Sequence, residues 1–290
     1  MAATLVTGVV VGGIYGLLAL GIVLVYKGTR VLNFAQGEIG TFALFVTWWI
    51  TTRFEQPWIV GALGGIGAAV LISLAFERAV VRRMTEAPRL SVAVATIGLL
   101  FALITGSILL FSQEAVVLAA PISGLGPRLF GYYVGPMQIA GLIAVATIGF
   151  GLGGFLKRTD FGLGVLAAAQ DPTMVRLVGV RLSRVSAFTW GLAGALGAVA
   201  ALLIQPGLGA FGPGFMTVLF IKALAAALLG GLTSLPGAFV GGIGVGVTEA
   251  LVDRAFVGTT FPGIDAVTVM TIIVAVLLFR PDGLLGRVAR

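Results

Sequence analysis

The chain has neither cysteine nor histidine among its 290 residues. Disulfides, thiolate chemistry and the usual zinc, haem and iron–sulfur ligand sets are therefore excluded. Ser/His/Asp and Cys/His catalytic sets fall with the imidazole they require. No lysine follows a glycine, so there is no phosphate-cradling Walker sequence and ATP cannot be bound in that way. Charge is also scarce: Asp, Glu, Lys and Arg make up 10% of the chain, against about 25% in an average soluble domain. Carboxylates close in sequence at an apolar helix end are confined to Glu249 and Asp253, and nothing else points to membrane enzymology.

Apolar sequence fills the space that charge leaves. Hydrophobic residues reach 59%. The uncharged runs at 1–26, 56–76, 90–113, 129–156, 185–221 and 223–248 each match or exceed the roughly 20 residues that cross a bilayer as a helix. They do not alternate polar and apolar residues as β-barrel strands do. The chain therefore reads as an all-α polytopic integral membrane protein of eight to nine spans, some broken by Gly and Pro. Nine segments are predicted, near 5–26, 32–52, 57–76, 90–112, 136–156, 187–205, 215–232, 237–253 and 263–279. The first run lacks a basic start and is longer than a signal-peptide core, so it is expected to be a retained span.

A net charge of +7 would suggest nucleic acid in a soluble protein. Here the basic residues lie in short loops between apolar runs, the pattern of membrane topology. With the N-terminus outside and the C-terminus in the cytoplasm, fourteen Lys and Arg fall inside and three outside, with Lys222 in a span. The opposite orientation reverses that ratio.

Two breaks are readable within long apolar runs. Pro206, Gly207, Gly209, Pro213 and Gly214 predict an outer turn, and 230–237 an inner one. Backbone groups freed in such breaks need protein or a watery cavity as partner, because lipid offers none. The loop 113–135 is expected to cap an outer entrance. Gly8, Gly12 and Gly16 lie four apart, as do Gly242 and Gly246. Small residues at that spacing let helix backbones approach closely, within one bundle or across a dimer seam.

Segment 157–186 is a basic, amphipathic insertion of a kind no protein needs merely to stay in a bilayer. Asp171 and Pro172 can start a helix there and Gly179 can end it. Met174, Leu177 and Val178 share one face of those two turns. So short a helix is unstable alone, and its apolar face predicts docking on a partner.

Three ionisable groups are expected at membrane depth: Glu38, Lys222 and Glu249. Such groups usually face a bundle interior or a watery path. Lys222 and Glu249 can form a buried ion pair bracing adjacent helices, contact a substrate, or relay a proton. Asn33, Gln36 and Glu38 stand in an unusually polar span start, Leu32-Asn33-Phe34-Ala35-Gln36-Gly37-Glu38. They either line a cavity or form an interfacial helix start in which Asn33 caps and Glu38 complements the positive helix end.

That last motif resembles the polar signature after the first span of bacterial branched-chain amino-acid ABC transporter permeases, in particular their shorter subunit. Ala167-Ala168-Ala169-Gln170-Asp171, followed by Gly179, resembles the family's ATPase-docking loop. Lys222-Ala223, Leu229-Gly230-Gly231, Ser234-Leu235-Pro236-Gly237, Gly241-Gly242 and Glu249-Ala250 resemble its glycine-rich C-terminal half. Arg280-Pro281-Asp282-Gly283-Leu284-Leu285-Gly286-Arg287 resembles its tail. The matches run from about residue 8 to 287. Gln36 stands where the family often has His and Gln170 where Glu is common, which weakens a proton-handling role at 36 and leaves Asp171 as the only acid of its motif.

The resemblance implies one permease domain over 1–290, with 157–186 as the cytoplasmic coupling loop. It implies a non-enzymatic importer subunit in a bacterial inner membrane and no cofactor in this chain, ATP and Mg²⁺ being bound on separate subunits. The implied partners are two cytoplasmic ATPases, a second permease and a periplasmic or lipid-anchored binding protein, besides membrane lipid. Leucine, isoleucine or valine would be the cargo, with urea or short amides as variants. Asp171, Met174, Leu177, Val178 and Gly179 would couple to the ATPase; Asn33, Gln36, Glu38, Lys222 and Glu249 would line or brace the path. The competing expectation is a stand-alone ion-coupled transporter in which a buried carboxylate binds the cation. A non-transporting scaffold would explain the glycines but not the buried polar groups.

Overall fold

Long runs of Leu, Val, Ile, Ala and Gly give a chain that is helical nearly throughout. The computed structural model describes residues 1–84, 86–122, 124, 126–129, 132–177, 179–256, 264–279 and 283–285. Its helices are α1 (Ala2–Thr29), α2 (Gln36–Arg53), α3 (Trp58–Ala79), α4 (Arg89–Leu110), α5 (Pro136–Arg158), α6 (Asp160–Gln170), α7 (Pro172–Leu177), α8 (Leu182–Leu208), α9 (Phe215–Gly230), α10 (Leu235–Ala255) and α11 (Ile264–Phe279). A single 3₁₀ turn, Val81–Met84, follows α3, and two two-residue strands, Arg128–Leu129 and Tyr132–Tyr133, pair in the loop before α5.

Each of the nine expected spans coincides with a helix, but fewer helices have the length and apolarity of a span on their own. Among the described residues six do: α1, α3, α4, α5, α8 and α10. Helix α2 opens on Gln36, Gly37 and Glu38, and α9 and α11 have only 16 residues each. The multi-pass character is established; the count of nine is not. Three boundaries also shift. Helix α2 begins four residues after the expected start, because 31–35 is not helical. Helix α8 runs through Pro206 to Leu208, so the outer turn is confined to 209–214. Residues 160–170, expected as part of a loop, form α6, with Thr159 Oγ1 accepting from Gly162 N at 3.0 Å as its cap.

Helices α1 and α8 cross antiparallel at the centre. Around them the packing follows one pattern twice. Helix α1 packs on α10 as α8 packs on α3; α9 packs on α10 as α2 packs on α3; α1 touches α9 as α8 touches α2; and α11 lies on α9 as α4 lies on α2. Exchanging α1–α4 for α8–α11 maps these contacts onto one another, although α11 also packs on α10 where α4 does not pack comparably on α3. The two halves therefore form an inverted repeat, an arrangement frequent in transporters. The amino-acid sequence gave no sign of it.

The glycine spacing is explained within one chain. A Cβ on Gly12 would lie 2.7 Å from Gly242 O, and one on Gly246 2.3 Å from Gly12 Cα. Gly8, Gly12, Gly242 and Gly246 thus make the α1–α10 seam rather than a surface stripe. At the 230–237 break, a Cβ on Gly230 would lie 2.0 Å from Gly237 O. Gly283 packs against Gly231, Leu284 N donates to Leu229 O at 2.7 Å, and Leu285 N donates to Gly230 O. The tail thereby serves the last carbonyls of α9, which its helix cannot satisfy. The neighbouring tail residues 280–282 and 286–290 lie outside the described residues.

Candidate functional site

The polar motif after α1 is built where a helix is absent. Arg30 takes a left-handed conformation (φ 58°) and its N–H closes α1 on Tyr26 O. The chain then runs back beside α1 without helical bonds, and other elements supply its partners. Phe34 N donates to Thr96 Oγ1 of α4 at 3.2 Å, while Asn33 Oδ1 accepts from Ala35 N at 3.1 Å. Helix α2 starts only at Gln36, whose Nε2 donates to Leu18 O at 3.1 Å. Leu18 is near the middle of α1, and Gly197, against which Gln36 O packs, is near the middle of α8. The start of α2 is therefore deep in the bundle.

The second half repeats the device from the other side. After α8, residues 209–214 turn back with Gly209 and Gly214 at φ 82° and 86°, a conformation glycine adopts without strain. Phe211 bridges to Val116, and Gln205 Nε2 donates to Gly209 O at 2.6 Å and Leu118 O at 3.3 Å. Phe211 also meets Phe45 edge-on at 5.0 Å. Helix α9 then starts against the start of α2.

Glu38 sits where the two helix starts meet. Its Oε2 accepts from Gly214 N at 3.2 Å and its Oε1 from Thr217 Oγ1 at 2.7 Å. Thr41 Oγ1 accepts from Met216 N at 3.1 Å. A first-turn acid was expected to complement its own helix; this one also serves the first turn of another. Two positive helix ends converge on one carboxylate, which offsets the cost of burying it. Close approach is possible because position 37 has no side chain: a Cβ there would lie 2.8 Å from Met216 O.

Asn33, Gln36 and Glu38 are all buried, at 2%, 0% and 1% exposure, and all three bond within the chain. Lys222 of α9 donates to Glu249 Oε1 of α10, so the expected pairing exists. These side chains are 12% and 14% exposed, and Glu249 Oε2 is buried without a hydrogen-bond partner among the described residues. Glu38 bonds Gly214 and Thr217 while Lys222 bonds Glu249, so the five residues expected at the path fall in two places.

One buried acid was not anticipated. Glu77, 1% exposed at the end of α3, accepts from Arg82 Nη2 at 3.0 Å and Ser186 Oγ at 2.7 Å. Arg82 also donates to Ser183 O. The pair Glu77 and Arg82, five apart and beside a basic loop, was the available signal; it reads equally as a solvated helix end.

The segment expected to couple lies at the end of the bundle that holds Arg30, Arg82 and Arg158. Asp171 Oδ1 accepts from Met174 N at 3.0 Å, and Gly179 has φ 85°. Helix α7 between them sends Val175, 5% exposed, into the same apolar cluster as Val165 and Ala168 of α6. Met174 and Leu177 point away, 63% and 79% exposed. Val178 lies outside the described residues. Arg30 donates a side-chain bond to Ala169 O, fixing α6 to the end of α1.

Apolar spans, two half-buried helix starts meeting at depth and internally satisfied backbone breaks define a multi-pass membrane protein of transporter-like build. The profile of the family "branched-chain amino acid transport system / permease component" matches residues 4–279. The chain belongs to that family. It is 32% identical over 297 residues to the high-affinity branched-chain amino acid transport system permease protein BraD of Pseudomonas aeruginosa, covering 98% of this chain and 95% of that protein. It is 31% identical to the corresponding LivH protein of Escherichia coli (strain K12), covering 97% and 94%. A probable LivH permease of Methanocaldococcus jannaschii is 30% identical, with 93% and 88% covered. No solved structure matches the chain.

Proposed function

We propose that this chain is a transmembrane permease subunit of a binding-protein-dependent ABC importer for branched-chain amino acids, forming half of the translocation path. The observation that carries it is the family match across 4–279, with relatives covered almost end to end. Nine spans are proposed, the short α9 and α11 and the polar-started α2 included, with the N-terminus outside and the C-terminus in the cytoplasm of a bacterial inner membrane. The fourteen-to-three distribution of basic residues supports that orientation. The proposed partners are a second permease, two ATPases and a binding protein, with ATP and Mg²⁺ held on the ATPases and no cofactor here.

Coupling is assigned to α7 and its flanks. Its exposed Met174 and Leu177, with Val178 beside them, would seat in an ATPase groove, while Asp171 and Gly179 set its ends. Movement of that groove is carried through Val175 and α6 into α1, switching the path between outward- and inward-facing. Asn33, Gln36, Glu38, Lys222 and Glu249 are assigned to bracing: each is bonded inside the chain. The Glu38 junction is the hinge region, because backbone breaks are where a helix can reorient without losing a whole span.

The test is leucine uptake into proteoliposomes holding this chain with its partner permease, ATPases and binding protein. ATP-dependent uptake that needs every component is expected. Uptake by this chain alone, driven by an ion gradient, would overturn the reading in favour of a secondary transporter. ATP-dependent uptake of urea or short amides with none of leucine would keep the importer and replace its cargo.

A further inference from the structure

One cavity lies beside the α6–α1 link, apart from the exposed face of α7 and from the Glu38 and Lys222–Glu249 sites. It opens at the basic end of the bundle, between the end of α1, the last three turns of α5, the end of α6 and the start of α10, and has a volume of 1240 Å³. Four cations line it: Lys27, Arg30, Lys157 and Arg158. No Asp or Glu is among its lining residues. Among the described residues, none of the four forms a salt bridge. Arg30 uses one of its five N–H donors on Ala169 O and lies 6.0 Å from the Tyr26 ring centroid. Above the cations the wall turns apolar, with Phe150 and Phe239. Phe150 of α5 is 80% exposed, so this wall is open at the side of the chain.

An amino-acid zwitterion is poorly matched to this site, because no carboxylate in the lining meets its ammonium group. Four like charges around one cavity repel each other and favour an anion. The apolar upper wall favours an anion attached to alkyl chains. Basic pockets between spans at the membrane surface are a recurrent setting for acidic headgroups. We propose that this cavity is a binding site for an anionic glycerophospholipid, its phosphodiester held by Lys27, Arg30, Lys157 and Arg158 and its chains along Phe150 and Phe239. The lipid would tie the α1 end, where α6 is fixed, to α5 and α10. The site rests on the membrane reading but not on the cargo or on the direction of transport, so loss of leucine uptake leaves it untouched.

The test is native mass spectrometry of the detergent-purified complex titrated with phosphatidylglycerol or with phosphatidylcholine of the same acyl chains. Phosphatidylglycerol should be retained at least about tenfold better. Each surface cation contributes about 1 kcal/mol toward an acidic lipid, so Lys157→Gln/Arg158→Gln should lower that retention by roughly tenfold or more. Both residues are exposed at a helix end, so folding should be unaffected. The charge-preserving Lys157→Arg/Arg158→Lys should retain the lipid, as should Arg53→Gln, which lies away from the cavity. Equal retention of the two lipids, or no effect of the glutamine pair, would overturn the proposal. Displacement by millimolar inorganic phosphate would also overturn it, showing a free-anion site. So would unchanged lipid retention with release of the ATPases, which would mark the cations as a surface for an acidic protein.

Discussion

The α2–α9 junction and the α7 segment invert each other. At the junction, polar side chains are buried and bonded to their own chain: Glu38 on Gly214 and Thr217, Gln36 on Leu18, Thr41 on Met216. At α7, apolar side chains are exposed: Met174 and Leu177 face away from the core that Val175 enters. In lipid a buried polar group must find a partner, and the breaks at 31–35 and 209–214 supply unsatisfied backbone for it to serve. At a water-facing end, an exposed apolar pair on a two-turn helix has no intramolecular reason to be there. Polarity at the junction is thus bonded within the chain, and the apolar surface at α7 is the face to which a partner is assigned.

The strongest way to break that contrast is at α7. Met174→Asp/Leu177→Asp should abolish ATP-dependent uptake and release the ATPases on purification, with the chain still inserted at wild-type level. Thermal unfolding of the isolated chain should move little, because neither side chain is buried. A double variant that keeps its ATPases would remove the partner assigned to this face.

Next in size is Glu38→Ala. It strips the acceptor from Gly214 N and Thr217 Oγ1 at once, and a buried donor left unsatisfied costs about 1–3 kcal/mol. A loss of about 3 kcal/mol is expected in reversible denaturation in mixed micelles, with uptake reduced but ATPase retention intact. Glu38→Gln keeps one acceptor oxygen and should lose less than half of that. If Glu38→Ala leaves stability unchanged and removes uptake, the carboxylate serves the path directly rather than the junction.

Smaller again is the Lys222–Glu249 pair. Removing one partner of a buried pair leaves a charge uncompensated, whereas replacing both by apolar residues is often neutral. Partial exposure of both groups limits the effect, so Lys222→Met or Glu249→Leu alone should cost about 1–2 kcal/mol. The double variant should be more stable than either single one. A double variant no better than the sum of the singles would dismiss the pair as a brace.

The positions of the nine helices that coincide with expected spans were legible because apolar run length is a property of composition. The Lys222–Glu249 pairing was legible because two opposite charges in neighbouring spans have few other partners. The inverted repeat was not: it lies in which helices pack together, and α2 and α9 share no motif at the residue level. Glu38 was flagged as buried, but its partners on α9 come from residues about 176 positions away. Helix α6 was missed because its apolar positions fall among four basic or acidic neighbours that read as loop. Glu77 was missed because an acid one residue from Arg78 looks like a solvated helix end. For the repeat and for the partners of Glu38 the deciding contact is long-range, while the signal read was local.

The finest test of the contrast is Thr41→Val. The substitution keeps shape and apolar volume and removes one hydroxyl, which accepts from Met216 N at 3.1 Å and also hydrogen-bonds the Glu38 carboxylate. Interhelical bonds of this kind contribute about 1 kcal/mol in a membrane protein, and a loss of that size is expected from Thr41→Val in the same micelle assay. Its effect should shrink in a Glu38→Ala background, because both side chains serve the same first turn of α9 and neighbouring deletions do not add. Additivity of the two losses would mean that Glu38 and Thr41 act on α9 independently. The junction would then be a set of separate bonds rather than one shared cap.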